Sequence, residues 1–107
     1  MSSQELTILY VTFDSEDEAL KIASHLLEKK MIACANILSP MTSVYKWKGE
    51  VQKGQEWPVL FKTSIEKLAA VRSDIVDMHS YDTPCVIELT VESVNDLYHQ
   101  WAIAEIQ

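Results

Sequence analysis

The chain has 107 residues, 48% of them hydrophobic and 23% charged, the balance of one soluble globular domain with room for a single core. Nine Lys and Arg against sixteen Asp and Glu leave a net charge of −7, a surface that repels phosphate backbones and anionic lipid and gathers cations, so neither nucleic acid nor membrane is expected as a partner. The residues before Leu6 lack a signal peptide's basic region, so a cytoplasmic protein is expected, with Cys34 and Cys85 as thiols rather than a disulfide framework.

The run Leu6 to Phe13 is rich in β-formers and ends at Asp14-Ser15, where Ser15 and Glu18 have the spacing of a capping box and open a first helix. Ala19, Leu20, Ala23, Leu26, Leu27 and Met31 recur at the spacing of one helical face, with acids at the start and Lys29 and Lys30 near the end as the macrodipole favours. Two strand-like runs follow at 33–38 and 42–47, Lys48-Gly49 turns the chain, and 50–52 with 59–63 bring it back. Pro58 has no N–H to donate, which places it at an edge or bulge where the ribbon changes partners. Ser64 caps a second helix with Ile65, Leu68, Ala69, Ile75 and Val76 as its apolar stripe, ending before Pro84. Residues 85–91 then alternate, with Ile87, Leu89 and Val91 on one face. Ser93 opens a third helix whose buried side is Val94, Leu97, Trp101 and Ala104.

This order, β-α-β-β-α-β with an added C-terminal helix, is the ferredoxin-like form of the α+β class, with an antiparallel sheet, in a single domain over 1–107. The ribbon is too long for that domain. If extended, residues 34–47 would span roughly 46 Å, against about 34 Å for the diameter of a compact chain of this length. The excess is expected to reach another subunit, with Tyr45, Trp47 and Trp57 as interface aromatics.

The densest run of chemical groups is 79–85. Met78, His79 and Cys85 offer thioether, imidazole and thiolate, the ligand types that suit Cu(I), although no C-x-x-C pair or H-x-x-x-H accompanies them. The plainer reading has His79 capping its helix and Cys85 as a small strand residue, just as Cys34 reads as a packed thiol and His25 and His99 as solvated helix histidines. Lys62 beside Asn36 either holds an anion or snorkels at a sheet edge. No nucleophile elbow, zinc helix or phosphate loop is present, so no enzyme is expected; Arg72, the only arginine, lies in the second helix rather than in a phosphate-binding loop of the acylphosphatase kind.

Taken together, Tyr10-Val11-Thr12-Phe13, Ala33-Cys34-Ala35-Asn36-Ile37, Ser43-Val44-Tyr45-Lys46-Trp47-Lys48-Gly49-Glu50, Lys62-Thr63, His79-Ser80-Tyr81-Asp82-Thr83-Pro84 and Trp101 resemble the divalent-cation tolerance protein CutA family over nearly the whole length. The resemblance implies a tight homotrimer, similar in architecture to the PII signalling proteins, whose ribbons interlock neighbouring subunits. It also implies a role in tolerance of copper and other divalent ions, with no required cofactor. By position, Asn36, Tyr45, Trp47, Lys62, His79 and Tyr81 become candidates for a pocket between subunits. Two departures from the family pattern stand out: Ser80 where proline is usual, and Cys85 where glutamate is usual, which exchanges a hard oxygen ligand for a soft sulfur one. Two function classes follow: a trimer that binds metal, or a PII-like sensor or scaffold that binds a small anionic ligand near Lys62.

Overall fold

A computed structural model of the chain describes residues 5–107; residues 1–4, part of the stretch lacking a signal peptide's basic region, lie outside them. The elements are β1 (Leu6–Phe13), α1 (Glu16–Glu28), β2 (Cys34–Ile37), β3 (Met41–Trp47), β4 (Glu50–Ser64), α2 (Leu68–Met78, after a 3-10 turn at Ile65–Lys67), β5 (Val86–Thr90) and α3 (Asp96–Glu105). The sheet runs β2-β4-β1-β5 with every pair antiparallel, and β3 continues along the edge of β4 beyond β2. With β2 and β3 counted as one interrupted strand, this is the expected ferredoxin-like order.

The return strand is unbroken. β4 runs for 15 residues through Pro58, where the sequence reading had divided it. Pro58 pairs with Thr12 of β1 on one side. On the other side its carbonyl accepts from the Leu38 N–H at 2.9 Å. A residue's N–H and C=O point the same way along an antiparallel strand, so the missing donor faces the gap between β2 and β3, where no ladder bond is lost. The change of partner expected at Pro58 is therefore real: Ile37 pairs with Val59, and β3 takes over at Met41 opposite Glu56.

The hairpin closes through Lys48 and Gly49, at φ 51° and 84°. Two positive φ values in a two-residue loop match the right-handed twist of the strands, and glycine accepts its value without a Cβ penalty. The ribbon stretches the protomer to 47 Å in its long direction, against 27 and 23 Å in the others. Val44, Tyr45, Trp47 and Val51 on it are all about half exposed or more.

The faces of the sheet differ. Leu9, Val11, Phe13, Val59 and Phe61 meet Ala19, Ile22, Ala23 and Leu26 of α1 and Val71 and Ile75 of α2 in the main core. Ser15 caps α1 as expected, its Oγ accepting from the Glu18 N–H at 3.1 Å, and Ser64 caps the 3-10 turn through the Lys67 N–H at 3.2 Å. The phases of the helices differ from the sequence reading. Leu20 and Leu27 are exposed while Ile22 is buried; Ile65 and Val76 are exposed and Ala69 is too, while Val71 is buried. The buried positions 19, 22, 23 and 26 make one narrow stripe, and each misassigned leucine lies just past its edge.

α3 covers only one end of the opposite face. There Ala102 packs with Leu6 and Ala33, flanked by Val94, Tyr98, Ile103 and Ile106. The helix begins after Asn95 rather than Ser93, and Leu97, Trp101 and Ala104, expected to be buried, are exposed. Its sequence carries two apolar stripes, and the protomer buries only the one through 94, 98, 102 and 106. Ile87 and Leu89 of β5 are also exposed on this uncovered face, 49% and 42%.

Candidate functional site

Alternation along the strands brings Ser43, Tyr45 and Trp47 of β3 to the same side as Gln52, Gly54 and Glu56 of β4, the side of the sheet left open by α1 and α2. The loop that joins α2 to β5 passes in front of them. Between ribbon and loop lies a cavity of about 810 Å³, whose lining includes Tyr45, Trp47, Glu56, Tyr81, Asp82 and Cys85.

Glu56 fastens the two walls together. One carboxylate oxygen accepts from the Tyr81 hydroxyl at 2.9 Å, the other from the Ser43 hydroxyl at 2.7 Å. On the far side Ser80 is tied down too, its N–H and hydroxyl both donating to Glu18 at 2.6 and 2.9 Å. Burial, then the bond to Glu56 and the charges of Glu56, Asp14 and Glu18, push the Tyr81 hydroxyl far above the usual phenol range. Burial and then Glu56 push the Cys85 thiol up. Tyr10, on the same face, is raised by burial, then by Cys85 and Glu56.

A phenol raised in the folded state stabilises the fold fully below the unfolded value near pH 10, and that contribution is lost as pH climbs through the folded value. Urea midpoints should therefore fall above about pH 10, and Tyr81→Phe should flatten part of that fall. An identical alkaline slope in the variant would count against the Tyr81–Glu56 bond.

Both ring nitrogens of His79 are engaged by backbone groups rather than open to a metal. Its Nδ1 accepts from the Tyr81 N–H at 3.1 Å, which leaves the proton on Nε2, and Nε2–H donates to the Thr12 carbonyl at 2.8 Å. The ring is buried and stacks on Phe13 with centroids 4.6 Å apart. Neither nitrogen has a free lone pair, so the residue joins the end of β1 to the end of α2. The plainer expectation holds for the backbone: His79 is the C-cap of α2, its N–H donating to the Ile75 carbonyl at 2.9 Å, while the ring bonds elsewhere. Met78 packs against the main core. Of the three expected ligands only Cys85 lines the cavity.

The expected pocket residues are likewise divided. Tyr45, Trp47 and Tyr81 line the cavity; Asn36 and Lys62 do not. Lys62 lies under α3, its Nζ 3.5 Å from the Tyr98 hydroxyl and 5.4 Å from the ring centroid. The same hydroxyl is 3.4 Å from Cys34 Sγ. Trp57 alternates to the other side of β4, with Val59 and Phe61, where it is half-buried opposite Phe13. His25, expected to be solvated, pairs with Asp74 of α2 at 3.2 Å. Sequence reasoning passed over Glu56 and took Asp82 only as one member of the 79–85 run; the place of both in the cavity follows from cross-strand register and loop course.

The family model that matches residues 7–105 is that of the CutA1 divalent ion tolerance protein. The chain belongs to this family. It is 40% identical over 96 residues to the divalent-cation tolerance protein CutA of Thermotoga maritima, covering 90% of this chain and 94% of that one. The crystal structure of CutA1 from Oryza sativa superposes with a TM-score of 0.94 at 29% identity, over 100% of this chain and 98% of that one. The periplasmic divalent cation tolerance protein CutA from Archaeoglobus fulgidus gives 0.91 at 36% identity, over 95% and 99%. That last description shows that membership in the family does not fix a compartment. No helix among the described residues is long and apolar enough to cross a membrane.

Proposed function

We propose that this protein acts in divalent-cation tolerance as a closed homotrimer that binds copper in the cytosol, without turning over a substrate. The observation that carries the reading is the cavity, in which Cys85 and Glu56 lie near enough for the carboxylate's charge to act on the thiol. Among the described residues no group of three His, Cys, Asp or Glu is placed to hold a metal ion. One protomer therefore supplies too few donors, and a neighbour set against the open side of the cavity supplies the rest. The overhanging ribbon and the uncovered apolar face support such a neighbour. Two half-buried free thiols suit a reducing compartment. The carboxylates of the lining favour a cation over the anionic ligand of a PII-like sensor, and Lys62, which would have met that anion, lies elsewhere.

Sulfur selects the ion, since soft thiolate holds Cu(I) well and Mg²⁺ or Ca²⁺ poorly. Titration of the reduced protein with Cu(I) against a competing chelator should give an affinity that rises with pH, because binding displaces a proton from a thiol whose pKa is raised. Cys85→Ser should lower that affinity by ten-fold or more and leave the assembly intact. Equal Cu(I) affinity in the variant would remove Cys85 from the site.

A further inference from the structure

We propose that the cavity between the ribbon and the 81–85 loop also takes a small organic cation, an alkylammonium of the polyamine kind, an inference that rests on reading this cavity as the protein's cation site. Its volume of about 810 Å³ is far more than a bare ion needs and falls in the range of small-molecule pockets. Three aromatic rings, Tyr45, Trp47 and Tyr81, line it together with the carboxylates Asp14, Glu56 and Asp82. Among the described residues no Lys, Arg or His lines it. Lys46 and Lys53 alternate onto the other side of the ribbon.

The spacing of the acids separates two kinds of cation. A point charge such as Mg²⁺ needs several oxygens converging on one centre, and no three such groups converge among the described residues. A polyamine carries its charges several bonds apart on an apolar stem, so scattered carboxylates can each meet one ammonium while the rings cover the methylenes and attract the charge through their faces. In the single protomer Tyr45 and Trp47 are about half exposed, on the open side against which the neighbour is set, so the ligand would be held between subunits. Glu56 holds both its partners through one lone pair on each oxygen, so it can still accept from an ammonium.

Isothermal titration of the assembled protein with spermidine, with Mg²⁺ and acetate as controls, tests the inference. Spermidine should bind, Mg²⁺ and acetate should not compete at equal concentration, and added salt should weaken binding. Glu56→Gln, which keeps an acceptor for Tyr81, and Trp47→Ala should each weaken spermidine by about ten-fold. Asp82→Asn, on an exposed residue whose change does not threaten folding, should weaken it by a smaller factor. Absence of spermidine binding, or equal binding in wild type and all three variants, would overturn the inference. Cu(I) titrations on the same samples keep the two readings apart. Cys85-dependent copper binding without spermidine binding overturns only the present inference, whereas spermidine binding with copper affinity indifferent to Cys85→Ser overturns only the copper reading.

Discussion

At micromolar concentration the protein should scatter light with close to three subunit masses, and Leu89→Asp should reduce it to single chains. The expectation follows from the surface that the protomer leaves unfilled. Ile87 and Leu89 are the register partners of Tyr10 and Ile8 across β1 and β5, so they form one continuous apolar surface on the side of the sheet that α1 and α2 do not cover. α3 closes only the end of that surface near Leu6 and Ala33, and presents Leu97 and Trp101 outward at 79% and 46% exposure. The free edges of the sheet, β5 on one side and β2 with the β3 ribbon on the other, are available for closure by neighbours, which a cyclic assembly would provide. An unpaired carboxylate buried in such an interface costs about 3–5 kcal/mol, which is about two to three and a half powers of ten in each association constant. Leu20→Asp makes the matching control. Leu20 is somewhat more exposed, 49% against 42%, but lies on α1, and the same change there should leave the mass unaltered. A wild-type protein of single-chain mass, or equal effects of the two substitutions, would sink the proposal.

Element types were legible in the sequence because their signals are local. The Ser15 cap, the Ser64 cap and the Lys48-Gly49 turn each depend on a few adjacent residues, and all three stand where the spacing placed them. The phase of each helix was less legible, because α3 carries two apolar stripes of similar strength and only the sheet decides which one the protomer buries. A stripe meant for a neighbour and a stripe meant for the core have the same composition. The site was legible only in part for a related reason. Tyr45, Trp47, Tyr81 and Cys85 reach the cavity, but Glu56 enters it through its two hydrogen-bonded partners from distant elements, which no spacing in the sequence encodes. Histidine beside sulfur looked like a ligand pair. What sequence could not reveal is that both ring nitrogens are committed to backbone groups.

That commitment makes His79 the second large expected effect. His79→Ala should lower stability by about 2–4 kcal/mol, measured as a fall in urea midpoint at fixed protein concentration, since assembly couples stability to concentration. Three losses combine: the stack on Phe13, the donor to the Thr12 carbonyl, and the acceptor for the Tyr81 N–H. The ring is buried, so water cannot readily replace either hydrogen bond. His79→Gln carries both a donor and an acceptor and should recover a good part of the loss, which a purely steric role would not allow. Copper separates this positioning role from ligation. In His79→Gln, Cu(I) affinity should stay within about three-fold of wild type, because Cys85 sits directly before Val86, where β5 begins to pair with β1, and Gln keeps an acceptor for the Tyr81 N–H. A loss of ten-fold or more in a variant that retains its fold would return His79 to the ligand set, and would mean that one of its two hydrogen bonds opens when the metal arrives.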